Sequence, residues 1–246
     1  MSKNAIFKIT MLAGAVALAG CTDSIEDPVE PPVEPPEPGT ELVIIEDGNP
    51  AEGLSVIIGS NTDSYARTVL TRGTANTDMA AIKAAPTTNP ADSSYAWDID
   101  TVAAADPANS EVYFVVGSDA AEMDLTEYAA GLLTFDLSVI VAGDPSSTGH
   151  QLIMQSQLGD GSTGYLNRTV KYFNQSDLAA IESAGFTTIA VPMSCFAATD
   201  TFDLTKVDDL FRFDIRNNDA VTYEIGKVAL NADATVPEGA VTWGCE

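Results

Sequence analysis

Leu133, Phe135, Leu137 and Val139 fall on one side of a run whose other side carries Thr134, Asp136 and Ser138. An apolar residue at every second position is the pattern of a strand with one buried face, and a helix would scatter the same residues around its axis. The pattern recurs. Leu152, Met154 and Leu158 oppose Gln151, Gln155 and Gln157, and Phe211, Phe213 and Ile215 oppose Arg212, Asp214 and Arg216. Short runs rich in β-branched and aromatic residues at 42–45, 56–58, 112–116, 133–141, 151–158, 188–193, 211–215 and 221–230 are separated by Asp, Asn, Gly and Pro. Only 175–184 reads as a helix. Eight or more antiparallel strands, each with one buried face, predict an all-β domain over 42–246: an antiparallel β-sandwich of jelly-roll type.

The first forty residues have another purpose. Lys3 and Lys8 precede an uncharged, mostly apolar stretch over 9–19, which is too short to span a bilayer. Leu18-Ala19-Gly20-Cys21 then resembles the lipobox of bacterial lipoproteins. That resemblance implies a signal peptide over 1–20, removed in export, and a lipidated Cys21. It also implies attachment to the lipid bilayer of the cell envelope through acyl chains, each buried methylene contributing about 0.8 kcal/mol. Thr22, with no aspartate after the cysteine, is similar to outer-membrane sorting signals. Residues 21–41 form an acidic linker with prolines at 28, 31, 32, 35, 36 and 38. At about 3.1 Å per residue, an extended proline-rich stretch of this length reaches roughly 50–60 Å.

Charge narrows the partners. With 11 basic and 36 acidic residues the chain carries a formal net charge of −25. It is therefore a poor ligand for nucleic acid or anionic lipid. Acidic polysaccharides would be repelled as well, and neutral glycans would not. Of three cysteines, Cys195 and Cys245 remain once Cys21 is lipidated. In an oxidising compartment they predict a disulfide that pins 241–245 to the strand ending at Cys195, at a stabilisation of about 4 kcal/mol for a loop of that length.

Catalytic patterns are sparse. His150 is the single histidine, and no G-x-S-x-G, H-E-x-x-H, phosphate loop or dinucleotide fingerprint occurs. The histidine is read as solvated or locally bonded. Glu122-Met123-Asp124-Leu125-Thr126-Glu127 is similar to the E-x-D-x-x-E run of family-16 glycoside hydrolases. A strand there would place Glu122 and Glu127 as a retaining pair about 5 Å apart. Those enzymes line their clefts with tryptophan, and this chain has two.

The same residues carry a second resemblance. Asp124-Leu125-Thr126-x-Tyr128, then Gly131-x-Leu133-x-Phe135-Asp136-Leu137, resembles the DLSxYxxGxLxFDL run of galactose-binding-like β-sandwich domains. The run from Gly185 to Phe196 resembles the GWxxxxVPLSCF segment in the C-terminal galactose-binding-like domain of ExoP-type family-3 exo-glucanases, and Asp203-Leu204-Thr205-Lys206-Val207 follows as it does there. Together the blocks cover roughly residues 120–230. Phe186 stands where tryptophan is common, and a cysteine-rich turn near 157–164 is absent. The resemblance implies a non-catalytic carbohydrate-binding domain without the family-3 catalytic part, taking a polysaccharide or oligosaccharide such as β-glucan.

Sugar recognition needs an aromatic face and planar polar groups. Tyr95 and Trp97 are candidates for the platform, with a core position as the competing reading for Trp97. Gln155 and Gln157 on one strand face, and Tyr165, Asn167 and Arg168 after it, are candidates for the polar contacts. Trp243 is expected to pack against the disulfide. No organic cofactor is implied. A structural calcium at the sandwich rim is compatible with the fold, and the many acidic residues single out no ligands. Two alternatives stay open: a glycoside hydrolase using Glu122 and Glu127, and a structural envelope lipoprotein without a sugar ligand.

Overall fold

The computed structural model describes residues 41–103, 110–118, 120–144, 149–156, 167–196, 201–216 and 219–245. The signal, Cys21, nearly all of the linker, Gln157 and Tyr165 lie outside the described residues. No helix among those described is long and apolar enough to cross a membrane.

The strands are β1 (Glu41–Glu46), β2 (Asn49–Pro50), β3 (Ser55–Ser60), β4 (Ala66–Val69), β5 (Ile82–Thr88), β6 (Tyr95–Thr101) and β7 (Val112–Gly117), then β8 (Leu132–Val141), β9 (His150–Ser156), β10 (Arg168–Phe173), β11 (Thr187–Pro192), β12 (Val207–Ile215), β13 (Thr222–Asn231) and β14 (Val241–Thr242). They form two sheets. An eight-stranded sheet runs β14-β11-β8-β13-β1-β2, with β6 also pairing β13 and β5 pairing β6. A six-stranded sheet runs β10-β9-β12-β7-β3-β4. Every pairing between these strands is antiparallel except β11 with β14. The expected all-β sandwich is the observed fold.

Alternation builds the core. Phe135 of β8 meets Phe211 and Phe213 of β12 at centroid distances of 5.3 and 6.1 Å, and Phe213 meets Tyr223 of β13 at 4.9 Å. These rings come from opposite sheets, so the apolar faces identified by alternation close on one another. Six strands carry no separate expectation from the sequence, the two-residue β2 and β14 among them. β6 alternates Tyr95, Trp97 and Ile99 with Asp98 and Asp100, a strand signal masked by its turn-rich flanks. β5 contains Pro86, which is tolerated because the strand lies at the sheet edge. β10 falls where the sequence reads as the end of a loop, and β4 is four residues long. The helix α1 (Gln175–Ala179) starts where expected and is shorter. Asn174 and Asp177 form its capping box, with the Asn174 N–H donating to the Asp177 carboxylate at 2.6 Å.

The Cys195–Cys245 disulfide forms, and Ile189 and Ala190 of β11 pair with Val241 and Thr242 of β14. The chain end is thus tied to the edge of the eight-stranded sheet, as anticipated. Trp243 goes further inward than a disulfide contact, stacking on Phe173 at 4.9 Å and meeting Phe135 at 5.8 Å.

The hairpin between β3 and β4 ends in an unusual turn. The Ala66 N–H donates to the Asp63 carbonyl at 3.1 Å, and the central residues Ser64 and Tyr65 have φ of 58° and 61°. A turn with both central residues in the left-handed region normally uses Asn-Gly, and a larger side chain there costs on the order of 1 kcal/mol.

Candidate functional site

The outer surface of the six-stranded sheet, away from the core, is organised in rows that cross the strands. Pairing places Tyr172 beside Gln151, Gln151 beside Asp214, Asp214 beside Tyr113, Tyr113 beside Gly59 and Gly59 beside Arg67. One row therefore runs Tyr172, Gln151, Asp214, Tyr113, Gly59, Arg67 over all six strands, a span of roughly 24 Å at the usual strand spacing. The next row is Val170, Ile153, Arg212, Val115, Ile57 and Val69. A third holds Arg168, Gln155, Asp209 and Gly117.

Arg212 organises the centre. It stands in an otherwise apolar row and is 5 % exposed, with its guanidinium 3.7 Å from the centroid of the Tyr113 ring. Its Nη2 donates to Glu111 and to Asp214, both at 3.0 Å. Arg216 adds a second clamp, with Nη1 donating to Glu111 at 2.7 Å and Nη2 to the side-chain Oε1 of Gln151 at 2.5 Å. Tyr113 lies across Gly59, where a Cβ would come within 2.3 Å of the ring. In the third row the Arg168 Nε donates to the side-chain Oε1 of Gln155 at 2.9 Å, and the Gln155 Nε2 donates to Asp208 at 3.4 Å.

Electrostatics follow from this burial. Asp214 has no exposed surface. Burial pushes its carboxyl up to about 6 against the pull of Arg212 and Arg216. Asp208 is also carried up to about 6, by burial first and then by the charge of Asp209. Burial raises the Tyr113 hydroxyl while Arg212 and Arg67 oppose it. Four of the chain's five arginines, at 67, 168, 212 and 216, lie on or beside this surface, matched by Glu111, Asp208, Asp209 and Asp214. In a chain of net charge −25 the surface is locally balanced.

The sequence-predicted residues divide. Gln155 and Arg168 belong here, bonded to each other on neighbouring strands, and Asn167 adjoins them at the start of β10. Tyr95 and Trp97 do not. Trp97 has 0 % exposure and faces the core from β6, with Tyr95 packed edge-on against it at 5.2 Å. The Tyr95 ring also covers Gly48 and lies under the Arg72 guanidinium. The predicted stacking platform is therefore core, because alternation on β6 turns both rings inward. Tyr113, Tyr172, Glu111, Arg212, Asp214 and Arg216 carry no local site motif and are brought together by strand pairing and side-chain bonds. The alternation over 212–216 does mark a charged strand face, and its partners come from other strands.

The other expectations resolve locally. His150 is buried, its Nδ1 accepts the Arg216 N–H at 3.0 Å, and burial with the Arg216 charge lowers it to about 4. It is locally bonded rather than solvated. Glu122, Asp124 and Glu127 are exposed and lie at a turn, not on one strand face. Asp124 accepts the N–H and hydroxyl of Thr126 at 2.9 and 2.7 Å. The spacing that suggested a carboxylate pair is a turn cap. Asp203 and Asp233 cap Thr205 and Thr235 in the same way. Among the described residues no three acidic, histidine or cysteine side chains converge to hold a metal ion, so the calcium expectation gains no ligand set.

No family model and no curated protein sequence matches the chain. Solved structures do. The chain superposes on the extra C-terminal domain X of the exo-1,3/1,4-β-glucanase ExoP from a Pseudoalteromonas species with a TM-score of 0.56 at 10 % identity, covering 83 % of this chain and 98 % of that domain. Against the whole ExoP enzyme the TM-score is 0.57 at 12 % identity over 85 % of this chain, which spans 22 % of the enzyme's length. A family 30 carbohydrate-binding module gives 0.50 at 12 % identity, covering 81 % and 91 %. At such identities the likeness is one of fold.

Proposed function

We propose that this chain is a lipid-anchored envelope protein displaying a non-catalytic carbohydrate-binding sandwich, and that a neutral glycan chain such as β-glucan lies across the six strands. The observation that carries the reading is the row from Tyr172 to Arg67. Aromatic rings suited to the apolar face of a pyranose alternate along it with planar donors and acceptors suited to hydroxyls. Tyr172 is 56 % exposed and Tyr113 partly so, whereas Asp214 is buried and acts by positioning Arg212 and Arg216. Local charge balance favours a neutral ligand over an acidic one. The structural neighbours, a carbohydrate-binding module and the extra domain of a β-glucanase, fit the same reading.

The anchor rests on the N-terminal sequence. Lys3, Lys8, the apolar stretch and Leu18-Ala19-Gly20-Cys21 suit export and lipidation, and Thr22 suits the outer membrane. The proline-rich linker then holds the binding face away from the bilayer. Labelling with a radioactive fatty acid tests this, since Cys21→Ser must abolish incorporation.

Affinity electrophoresis over neutral and acidic soluble glycans, with reducing-sugar release measured in parallel, tests the binding reading. Retardation by a neutral β-glucan, lost in Tyr113→Ala and in Gly59→Ala, is the expected result. The glycine variant removes no functional group and only displaces the ring. Retardation unchanged in both variants would rule out this face, and sugar release lost in Glu122→Gln would replace binding with hydrolysis.

A further inference from the structure

We infer that Gln151 is a specificity-determining residue of the six-stranded face, offering its amide N–H groups to ligand oxygens so that the face takes neutral glycans and refuses amino sugars. The inference rests on the cross-strand glycan reading and deepens it. Its own observation is which amide atom of Gln151 is already taken. Arg216 Nη2 donates to Gln151 Oε1 at 2.5 Å. A guanidinium has donors only, so the amide atom that faces it must be the oxygen, and Nε2 is left for another partner. Gln151 is part-exposed, and its Nε2 has no hydrogen-bond partner among the described residues.

The orientation of Gln151 is fixed by groups behind it. Arg216 Nη1 donates to Glu111 at 2.7 Å, and its backbone N–H donates to His150 Nδ1 at 3.0 Å. His150 is the residue before Gln151 on β9, so the guanidinium and its amide acceptor are fastened to the same stretch of strand. Glu111 is held in turn by Asn61, which donates its N–H to the Glu111 carbonyl at 3.1 Å and accepts the Glu111 N–H at 2.9 Å. Glu111, His150 and Arg216 are positioning residues in this arrangement, and Gln151 is the one that meets the ligand.

Pairing puts Gln151 directly beside Tyr172 of β10 and Asp214 of β12, inside the row that the glycan follows. Directly opposed residues have Cβ atoms about 5 Å apart, which puts the amide within reach of a sugar resting on Tyr172. The neighbouring acceptors are engaged or buried. Both Glu111 oxygens bind guanidinium, Asp214 has no exposed surface, and Gln155 Oε1 accepts from Arg168 Nε. The centre of the row therefore offers N–H. A hydroxyl or ether oxygen accepts such a donor, whereas an ammonium, with three donors and no lone pair, does not. The discrimination is local, because a chain of net charge −25 would by itself attract a cationic polymer.

Calorimetric titration of the whole mature protein with the β-1,4-linked tetrasaccharide of glucose, and with that of glucosamine in its ammonium form, is the test. The two share a backbone and differ only at C2. The parent is expected to bind the first and not the second. Gln151→Glu keeps the oxygen that Arg216 holds and replaces the donor by a second oxygen. It should weaken binding of the glucose chain by about tenfold, as loss of one hydrogen bond does, and gain measurable affinity for the glucosamine chain without lowering Tm. A purely structural role would not produce that exchange. Glucose-chain affinity unchanged in Gln151→Glu, or lost without the gain, overturns the inference and leaves the face standing. Binding of the glucosamine chain by the parent as tightly as the glucose chain overturns it too. If Gln151→Glu does not fold, Gln151→Met, which has a similar size and no donor, must show the same loss for the glucose chain or the inference falls. If the parent binds neither chain, or Tyr113→Ala binds as the parent does, the cross-strand reading fails and the role of Gln151 with it.

Discussion

The two sheets of this sandwich are built by the same alternation, yet their outer faces have little in common. On the eight-stranded sheet many outward residues are Thr, Asn, Asp and Glu that satisfy one another across strands. Thr188 donates to Asp136 at 2.7 Å, Thr222 to Asp100 at 2.8 Å, Thr87 to Glu224 at 3.0 Å, and the Asn231 amide to Thr134 at 3.0 Å. Carboxylates also crowd there, and Asp98 is raised by burial together with the charges of Asp100 and Glu224. On the six-stranded sheet the outward polar residues include the long side chains of Arg67, Arg168, Arg212, Gln151, Gln155, Tyr113 and Tyr172, set beside an apolar row. Several buried polar atoms of this face, including Arg212 Nε, Arg216 Nε and the second oxygens of Asp208 and Asp214, have no partner among the described residues. A surface that satisfies itself is finished by folding. One that leaves buried polar atoms unmatched carries a cost that stability alone does not explain.

Four changes test that contrast, in falling order of expected effect. Only the eight-stranded sheet has a covalent tie at its edge, the Cys195–Cys245 disulfide with a separation of 50 residues. Replacing both cysteines by serine is expected to lower stability in urea by about 4 kcal/mol. Glycan retardation below the unfolding midpoint should persist, because the site is on the other sheet. Loss of binding in a still-folded variant would mean that the two faces are coupled.

Removing a charge should also separate them. Arg212→Ala leaves Asp214 buried without its clamp and is expected to cost about 3 kcal/mol and to abolish retardation. Asp136→Ala on the opposite face breaks a half-buried bond to Thr188 and should cost about 1 kcal/mol with retardation intact. Similar losses from the two variants would erase the distinction.

The smallest effect is a pH dependence. The Asp208 carboxyl titrates near 3.8 when unfolded and about 6 when folded, so the native state holds the extra proton between those values. Its contribution to stability therefore falls as pH rises from about 4 to about 6 and is constant above. Asp208→Asn should raise stability by about 1 kcal/mol at pH 7, with the gain vanishing near pH 4. His150 acts in the opposite sense, since its depressed value makes stability rise across about pH 4 to 6.5. A gain for Asp208→Asn that grows toward low pH would reverse the assignment.

Much of the fold was legible because the relevant signal is local. The runs at 133–141 and 211–215 declared which side chains turn inward, and the structure buries Phe135, Leu137, Phe211 and Phe213 accordingly. The cysteine pair was legible by count. β6 shows where local reading stopped. Tyr95 and Trp97 look like a surface platform in a stretch flanked by Ser, Asp and Pro, and only their burial in the folded sheet shows that they face the core.

For the site, residues near one another in sequence were within reach, and those brought together by pairing were not. Gln155 and Arg168 are legible together because they stand 13 positions apart in the sequence. Tyr113 and Tyr172 are 59 positions apart, and nothing in either neighbourhood says that they share a row.

By itself, then, the sequence determined which residues alternate, which cysteines remain to pair, and how acidic the whole chain is. Those are properties of periodicity, count and net charge, and they survive any arrangement of strands. The tertiary structure decided the order β10-β9-β12-β7-β3-β4, and with it the row from Tyr172 to Arg67. Strand order depends on cross-strand hydrogen bonds and ring packing between segments far apart in the chain, and no local pattern encodes those partners.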